Sequence, residues 1–179
     1  TNRPEDKGTF ILHDREINSK NVISGISCDK DFTVINIKKY LMNRQVGFTR
    51  KILGVLEDYN ISFDHMPSGI DNISLVMRSD QIRDVESRVL NDIQRHCDVD
   101  ELSIDHDLAI LMIVGEGMNR VIGTASKITH ALAESNINLK MINQGASEIS
   151  MMFGIKLEDA EKAVRATYEF CYHGVCIKD

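Results

Sequence analysis

The chain repeats itself. Residues 26–77 align with residues 102–153 at a constant offset of 76, without a gap, and sixteen of the 52 paired positions are identical. The matches include Asp29/Asp105, Asp31/Asp107, Met42-Asn43-Arg44 against Met118-Asn119-Arg120, Gly47/Gly123, Asn60-Ile61 against Asn136-Ile137, and Gly69/Gly145. One residue out of register, Asp84-x-Glu86-x-x-Val89 matches Asp159-x-Glu161-x-x-Val164. A period this long exceeds a solenoid unit and suits one small α/β module. The chain therefore reads as two copies of one module. Unequal key residues in the copies point to a binding function divided between a working copy and a supporting one.

Size and composition agree with this. At 179 residues there is room for two small domains or one domain with a doubled core. Apolar residues make up 42% and charged residues 27%, an ordinary globular profile. No apolar run approaches the length of a membrane span, and the first residues carry no signal-peptide pattern. The net charge of −6, with scattered lysines and arginines, argues against a phosphate-backbone binder. Cys28, Cys97, Cys171 and Cys176 are read as reduced thiols of a cytoplasmic protein. Cys171, His173 and Cys176 offer three metal ligands where a structural zinc site wants four, so no metal is expected.

Each copy reads as strand-helix-strand-strand-helix with one flanking strand, a βαββαβ pattern on an antiparallel sheet. In the first copy, Val22–Cys28 is strand-like, Asp29-Lys30-Asp31 a polar turn, and Phe32–Ile37 an alternating, β-branched strand. Residues 48–59 place Ile52, Leu53, Val55, Leu56 and Tyr59 at helical spacing, and Asn60 stops that helix. Strands are expected over Ile61–Met66 and Ile73–Met77, then a helix capped by Asp80 and running to about His96. Strand Leu102–Ile104 follows. The second copy repeats the order: strand Leu108–Val114, helix Thr124–Ser135, strands Ile137–Ile142 and Ile149–Ile155, helix Glu158–Cys171. That copy lacks a fourth strand of its own, unless Val175–Ile177 supplies it. The repeat assigns the role to Val22–Cys28, which inserts the first unit within the second. The resulting division is a linker or tail over 1–21, a first domain over 29–106, and a second from 22–28 plus 107–179. Within 1–21, residues 1–9 read as loop, and Phe10-Ile11-Leu12 is a short apolar run.

These residues resemble a known family. Gly47-Phe48-Thr49, with Asn60-Ile61-Ser62-Phe63-Asp64-His65-Met66-Pro67-Ser68-Gly69-Ile70-Asp71, resembles the first ACT domain of the monofunctional aspartokinases. Asn136-Ile137-Asn138 with Ile142-Asn143-Gln144-Gly145-Ala146-Ser147-Glu148-Ile149-Ser150 resembles the second. Thr1-Asn2-Arg3-Pro4-x-x-x-Gly8-Thr9 is similar to the end of the kinase catalytic domain. The resemblance implies an α+β fold of two ferredoxin-like ACT domains in tandem. It also implies a regulatory fragment, inactive alone, from an aspartate kinase whose ATP and magnesium belong to the catalytic domain. The fragment would bind lysine, possibly threonine, at an ACT–ACT dimer interface and feed back on aspartate phosphorylation in lysine, threonine and methionine biosynthesis. Its partners would be a second copy and the catalytic domain, with no nucleic acid and no membrane. The alternative is a structural dimerisation module without a ligand.

An amino-acid site also has a case in the residues. A zwitterion needs donors for its carboxylate and acceptors for its ammonium. Free N–H groups at a helix start supply the donors, and Gly47 lets a ligand approach the backbone. Asp64 is the one carboxylate of its segment, suited to an ammonium. By resemblance the effector contacts fall on Met42, Gly47, Phe48, Thr49, Phe63, Asp64, Ser68, Gly69 and Ile70. Ser68-Gly69 departs from the Ser-Glu form of some lysine-sensitive members, which keeps threonine, alone or with lysine, open as effector. Met42 and Met118 could equally plug their loops into a core, and Asp64 could pair with Lys51. The second copy carries Lys140 in place of Asp64 and Ala125 in place of Thr49, so one effector site per chain is expected, in the first unit. No catalytic residue is assigned: His65, His106 and His130 lack a nucleophile in a signature context, and Gly115-x-Gly117 does not complete a phosphate-binding fingerprint.

Overall fold

The computed structural model describes Glu5 and residues 22–174. The remainder of 1–21, the run Phe10–Leu12, the alternative strand Val175–Ile177 and Cys176 lie outside the described residues. The elements run β1 (Gly25–Lys38), α1 (Phe48–Asp58), β2 (Asn72–Arg78), α2 (Ser79–Ile82), α3 (Glu86–Cys97) and β3 (Glu101–Val114). Then follow α4 (Thr124–Glu134), β4 (Met141–Gln144), β5 (Ser150–Lys156) and α5 (Ala160–Tyr168). All five strands are antiparallel neighbours in one sheet, in the order β2-β1-β3-β5-β4.

The polar turns expected at Asp29-Lys30-Asp31 and Asp105-His106-Asp107 do not end strands. β1 and β3 each continue through them for 14 residues. Between Asp29 and Phe32, β1 takes three steps while β3 takes two, from Ile110 to Leu108. Between Phe32 and Val34, β1 takes two while β3 takes three, from Leu108 to Asp105. Each strand thus inserts one residue, and Asp31 (φ 66°) and Asp107 (φ 58°) adopt the left-handed backbone that such a bulge can hold. Aspartate tolerates that region better than most side chains, so the run that looks like a turn serves as a bulge. Phe32 pairs with Leu108, its own counterpart in the repeat, which puts a local two-fold axis through that pair.

The crossover follows from the same register. Gly25–Cys28 pairs with Leu111–Val114 of the second copy, while Val34–Lys38 pairs with Glu101–Asp105 of the first. Gly115 makes room for this crossing: a Cβ there would collide with the Val22 carbonyl oxygen. Two helix-covered cores result. Ile35, Ile37, Leu75 and Met77 pack beneath Ile52, Leu56, Val89 and Ile93 of α1 and α3. Ala109, Leu111, Ile113 and Phe153 pack beneath Ile128, Leu132 and Ala163 of α4 and α5. Each fully buried side chain of this size contributes about 1.5–3 kcal/mol. A third cluster, Phe32, Val34, Val76, Leu108 and Ile110, lies on the sheet face turned away from the helices.

Three other expectations need correction. Residues 61–66 form no regular strand; only His65 bridges Val76, and beyond it Ser68 bridges Ile73. The N–H groups of Asp64 and His65 both reach the Val76 carbonyl, Ser62 turns aside to the Gln81 side chain, and Pro67 has no donor to give. The helix expected from Asp80 to His96 is broken: Val85, at φ −123° and ψ 0°, separates α2 from α3. Asp80 lies inside the first turn of α2 and caps nothing, and the neighbouring Ser79 hydroxyl is engaged by Thr33 at 2.8 Å. At the other edge β4 begins at Met141, four residues later than Ile137, because Ile137 is spent on the helix end, its N–H bonding the Leu132 carbonyl. Asn60 (φ 54°) and Asn136 (φ 50°) stop their helices in the left-handed conformation, as the sequence implies.

Candidate functional site

The nine residues singled out by sequence fall into three groups. Met42 and Phe48 turn their side chains into the first core, and their N–H groups are taken by the Lys39 and Gln45 carbonyls at 3.0 and 3.3 Å. Met118 does the same in the second core. Gly47 caps α1 at φ 79°, exposed, with no atom within 4 Å of where a Cβ would stand. No side chain caps the start of α1, so donors of its first turn stay available beside Gly47 and the half-buried Thr49. This end carries the positive pole of the helix, as an anion site requires.

The turn Ser68-Gly69-Ile70 is tied to this loop. Asn43 donates its N–H to the Ile70 carbonyl at 3.2 Å, Leu41 donates to the Asp71 carboxylate at 2.8 Å, and Lys39 donates to the Asp71 carbonyl at 2.9 Å. Gly69 itself donates to the Asn72 carbonyl at 2.8 Å, closing the turn. Phe63 and Asp64 stand elsewhere. Both are exposed on the edge beside β2, at the level of Val76. Val76 is four residues beyond Asn72, which at strand rise puts Asp64 roughly 13 Å along the edge from the turn. One chain thus gathers the Met42 loop with Ser68–Ile70, and holds Asp64 apart, facing outward.

The bulge carries charges that the sequence reading passed over. Arg78 makes a bidentate pair with Asp29, donates to the Lys30 carbonyl, and lies over the Phe32 ring at 4.4 Å. The guanidinium hydrogen bond holds the Asp29 carboxyl below the usual carboxylate range. In the other copy Lys156 stands opposite Leu108 as Arg78 stands opposite Phe32, but it donates to Glu158 at 3.0 Å, and Asp105 faces Lys140 at 3.9 Å. The signal was present in the repeat as the exchange of Asp64 for Lys140, read there only as a loss. Asp105 and Lys140 border a cavity of about 330 Å³ that also holds Ser68 and Gly69 on its far wall.

Among the described residues, no group of three His, Cys, Asp or Glu side chains is placed to hold a metal ion. Burial pushes the Cys171 thiol up to about 11, away from the thiolate that a metal requires. His106 joins a polar network with Thr33 at 3.3 Å and Glu86 at 3.4 Å, and His130 lies edge-on to Phe170. No described helix is long and apolar enough to cross a membrane.

Comparison with known proteins adds the wider context. The ACT domain family matches residues 111–169. Aspartokinase 3 of Bacillus subtilis is 41% identical over 178 residues, covering 99% of this chain and 39% of the relative. The crystal structure of Clostridium acetobutylicum aspartate kinase, described as an allosteric enzyme, superposes with a TM-score of 0.82 at 43% identity, over 87% of this chain and 35% of that one. E. coli aspartokinase III, solved in complex with lysine and aspartate, superposes at TM-score 0.70 and 20% identity, over 84% of this chain and 33% of that one. The last likeness carries the fold alone. The chain spans well under half the length of each of these proteins.

Proposed function

This chain belongs to the aspartokinase family, as the tandem ACT-domain region that regulates it, and from that premise we propose that it is an amino-acid sensor. Its ligand is lysine, with threonine the alternative. Binding takes place where two first units meet, and it restrains aspartate phosphorylation by the catalytic domain of a cytoplasmic enzyme. ATP and magnesium serve that domain and not this one. The first unit comprises 29–106, and the second 22–28 with 107–179.

The observation that carries the reading is the division of labour at the first unit. The uncapped start of α1 at Gly47 offers donors for a carboxylate, while Asp64 holds an outward-facing carboxylate for an ammonium. The two stand too far apart along one edge to share a small ligand within one chain. A second copy set against the same edge brings the Asp64 of one protomer toward the Gly47 loop of its partner. The irregular segment 61–66 leaves that edge short of ladder partners, which favours such pairing. A ligand held between copies shifts their arrangement in proportion to its preference for one arrangement over the other.

Isothermal titration of the chain with lysine, threonine and methionine, singly and then lysine with threonine, tests the reading. The expected result is saturable lysine binding near one site per chain. Asp64→Ala should lower lysine affinity by about thirtyfold or more while the dimer persists, since a charge-assisted hydrogen bond is lost. A folded dimer giving no heat with any of the three would support a dimerisation module without a ligand.

A further inference from the structure

The two copies of the repeat differ in charge where each long strand leaves the sheet. In the first copy Lys39 follows β1 and is buried, its ammonium donating to Asp98 at 3.0 Å and facing Asp100 at 3.5 Å. Both carboxylates belong to the connection between α3 and β3. The next two N–H groups are also held by carboxylates, that of Tyr40 by Asp100 and that of Leu41 by Asp71 at 2.8 Å. The Asp71 carbonyl in turn accepts the Lys39 N–H at 2.9 Å. By the offset of 76 residues, Lys39 and Asp71 correspond to Gly115 and Ser147, and Asp98 and Asp100 to Val22 and Ser24. The correspondence holds in the fold: Asp100 donates its N–H to the Lys38 carbonyl at 2.9 Å, and Ser24 to the Val114 carbonyl at 2.8 Å. All four charged positions of the first set are uncharged in the second.

What the charged set holds is a strained residue. Leu41 has φ 54° and ψ 34°, a left-handed conformation that a leucine side chain disfavours. Its counterpart is Gly117, which could adopt that conformation freely, yet Gly117 lies within the helical turn Glu116–Asn119. The kink at Leu41 thus follows the surrounding carboxylates and not the preference of the residue itself. It sends Met42 into the first core and carries the Asn43 N–H to the Ile70 carbonyl. The loop that ends at Gly47 is thereby set against the Ser68-Gly69-Ile70 turn.

We propose that Lys39 and Asp71 are positioning residues which, with Asp98 and Asp100, hold Leu41 left-handed and so preset the ligand loop 42–47. This rests on the sensor reading above. Without the clamp Leu41 relaxes to ordinary backbone, and a ligand must first restore the kink. Apparent affinity then falls by the fraction of chains still kinked, which the left-handed penalty sets at about one in ten. Asp71 acts as the acceptor of the Leu41 N–H, so its charge is not what the ligand needs.

The test combines NMR of the free chain with lysine calorimetry on the same variants. A positive φ brings an amide proton close to its own Hα, so Leu41 should give a strong intraresidue NOE. Asp71→Ala and Lys39→Met should abolish that signal and leave the amides of α1 unmoved. Lys39→Met strands no buried charge, because Asp98 and Asp100 both reach solvent. Asp71→Asn, which keeps an acceptor, should preserve the signal. Lysine should bind Asp71→Ala about tenfold more weakly and Asp71→Asn as it binds the unaltered chain. Adding Leu41→Gly to Asp71→Ala should restore affinity to within about threefold, since glycine enters the left-handed region unaided. The proposal is overturned if Asp71→Ala keeps the Leu41 signal or its lysine affinity, or if Leu41→Gly restores nothing. It is also overturned if Asp71→Asn loses as much affinity as Asp71→Ala, which would make the charge a ligand contact. No heat from the unaltered chain with lysine, threonine or methionine would overturn the sensor reading, and the ligand role of the clamp with it. Binding that is present in the unaltered chain and unchanged in the variants would overturn the clamp alone.

Discussion

Asp29 and His65 are set by their surroundings in ways that pH can read. The Arg78 hydrogen bond depresses the Asp29 carboxyl in the folded chain. Its contribution is present above the unfolded value of 3.8 and is lost as pH falls through the folded one. Arg78→Met should therefore flatten the acid limb of a denaturation midpoint measured against pH below about 4, modestly, because the pair is largely exposed. His65 has its Nε2 buried without a hydrogen-bond partner, and desolvation lowers its affinity for a proton. A neutral folded imidazole stabilises above the unfolded value of 6.5 and loses that advantage as pH falls through the lower folded value. His65→Phe should remove the part of the stability slope that begins just below pH 6.5. An unchanged slope would locate the titrating group elsewhere. Gly47 and Gly123 share the left-handed conformation at the head of α1 and α4, with open space around both. Alanine at either position should cost about 1 kcal/mol by chemical denaturation, from backbone strain alone.

Among the elements, the doubled bulge does most to shape the molecule. Asp31 and Asp107 each insert one residue, and side-chain alternation reverses across them. Ile26 and Cys28 pack against the second core and Ile35 and Ile37 in the first, although the two pairs differ in parity. One inserted residue thus keeps a helix-covered face continuous along each long strand. Asp107→Val places a β-branched side chain in a left-handed backbone and should cost about 1–2 kcal/mol, whereas Asp107→Gly should be neutral or stabilising. Thermal denaturation of the two variants distinguishes strain from loss of the carboxylate, because a carboxylate role would make both destabilising. The edge segment 61–66 has few ladder bonds, and its amides should exchange with solvent faster than those of β2 beside it.

At the scale of the whole molecule, β1 and β3 belong to both copies at once, and neither core closes without both. The chain should therefore unfold in one transition, with amides of α3 and α4 losing protection together in denaturant. Leu111→Ala, in the second core, should lower stability by about 2–5 kcal/mol and shift both sets of amides alike. Two separable transitions would mean that the copies are independent domains joined only by chain.

Much of this architecture was legible because the repeat and the apolar spacing are local facts. The offset of 76 residues, the helical stripe Ile52-Val55-Leu56 and the stops at Asn60 and Asn136 follow from residue order alone. Even the crossover of Val22–Cys28 could be inferred by asking which strand the second copy lacked. The resemblance of the Gly47–Asp71 and Asn136–Ser150 stretches pointed to the family, and the exchange of Asp64 for Lys140 marked the copies as unequal. The bulges were not legible, since Asp-Lys-Asp and Asp-His-Asp read equally as turns, and only pairing across β1 and β3 selects a bulge. Nor could the sequence say that Met42 and Phe48 bury their side chains, that Asp64 stands away from the Ser68 turn, or that Arg78 pairs with Asp29 while Lys156, at the matching place opposite Leu108, turns to Glu158. Chain order determines which residues are near in sequence and which faces are apolar. Distances between charges on different strands arise only when hydrogen-bond register and sheet twist bring those strands together, and that is a property of the folded whole.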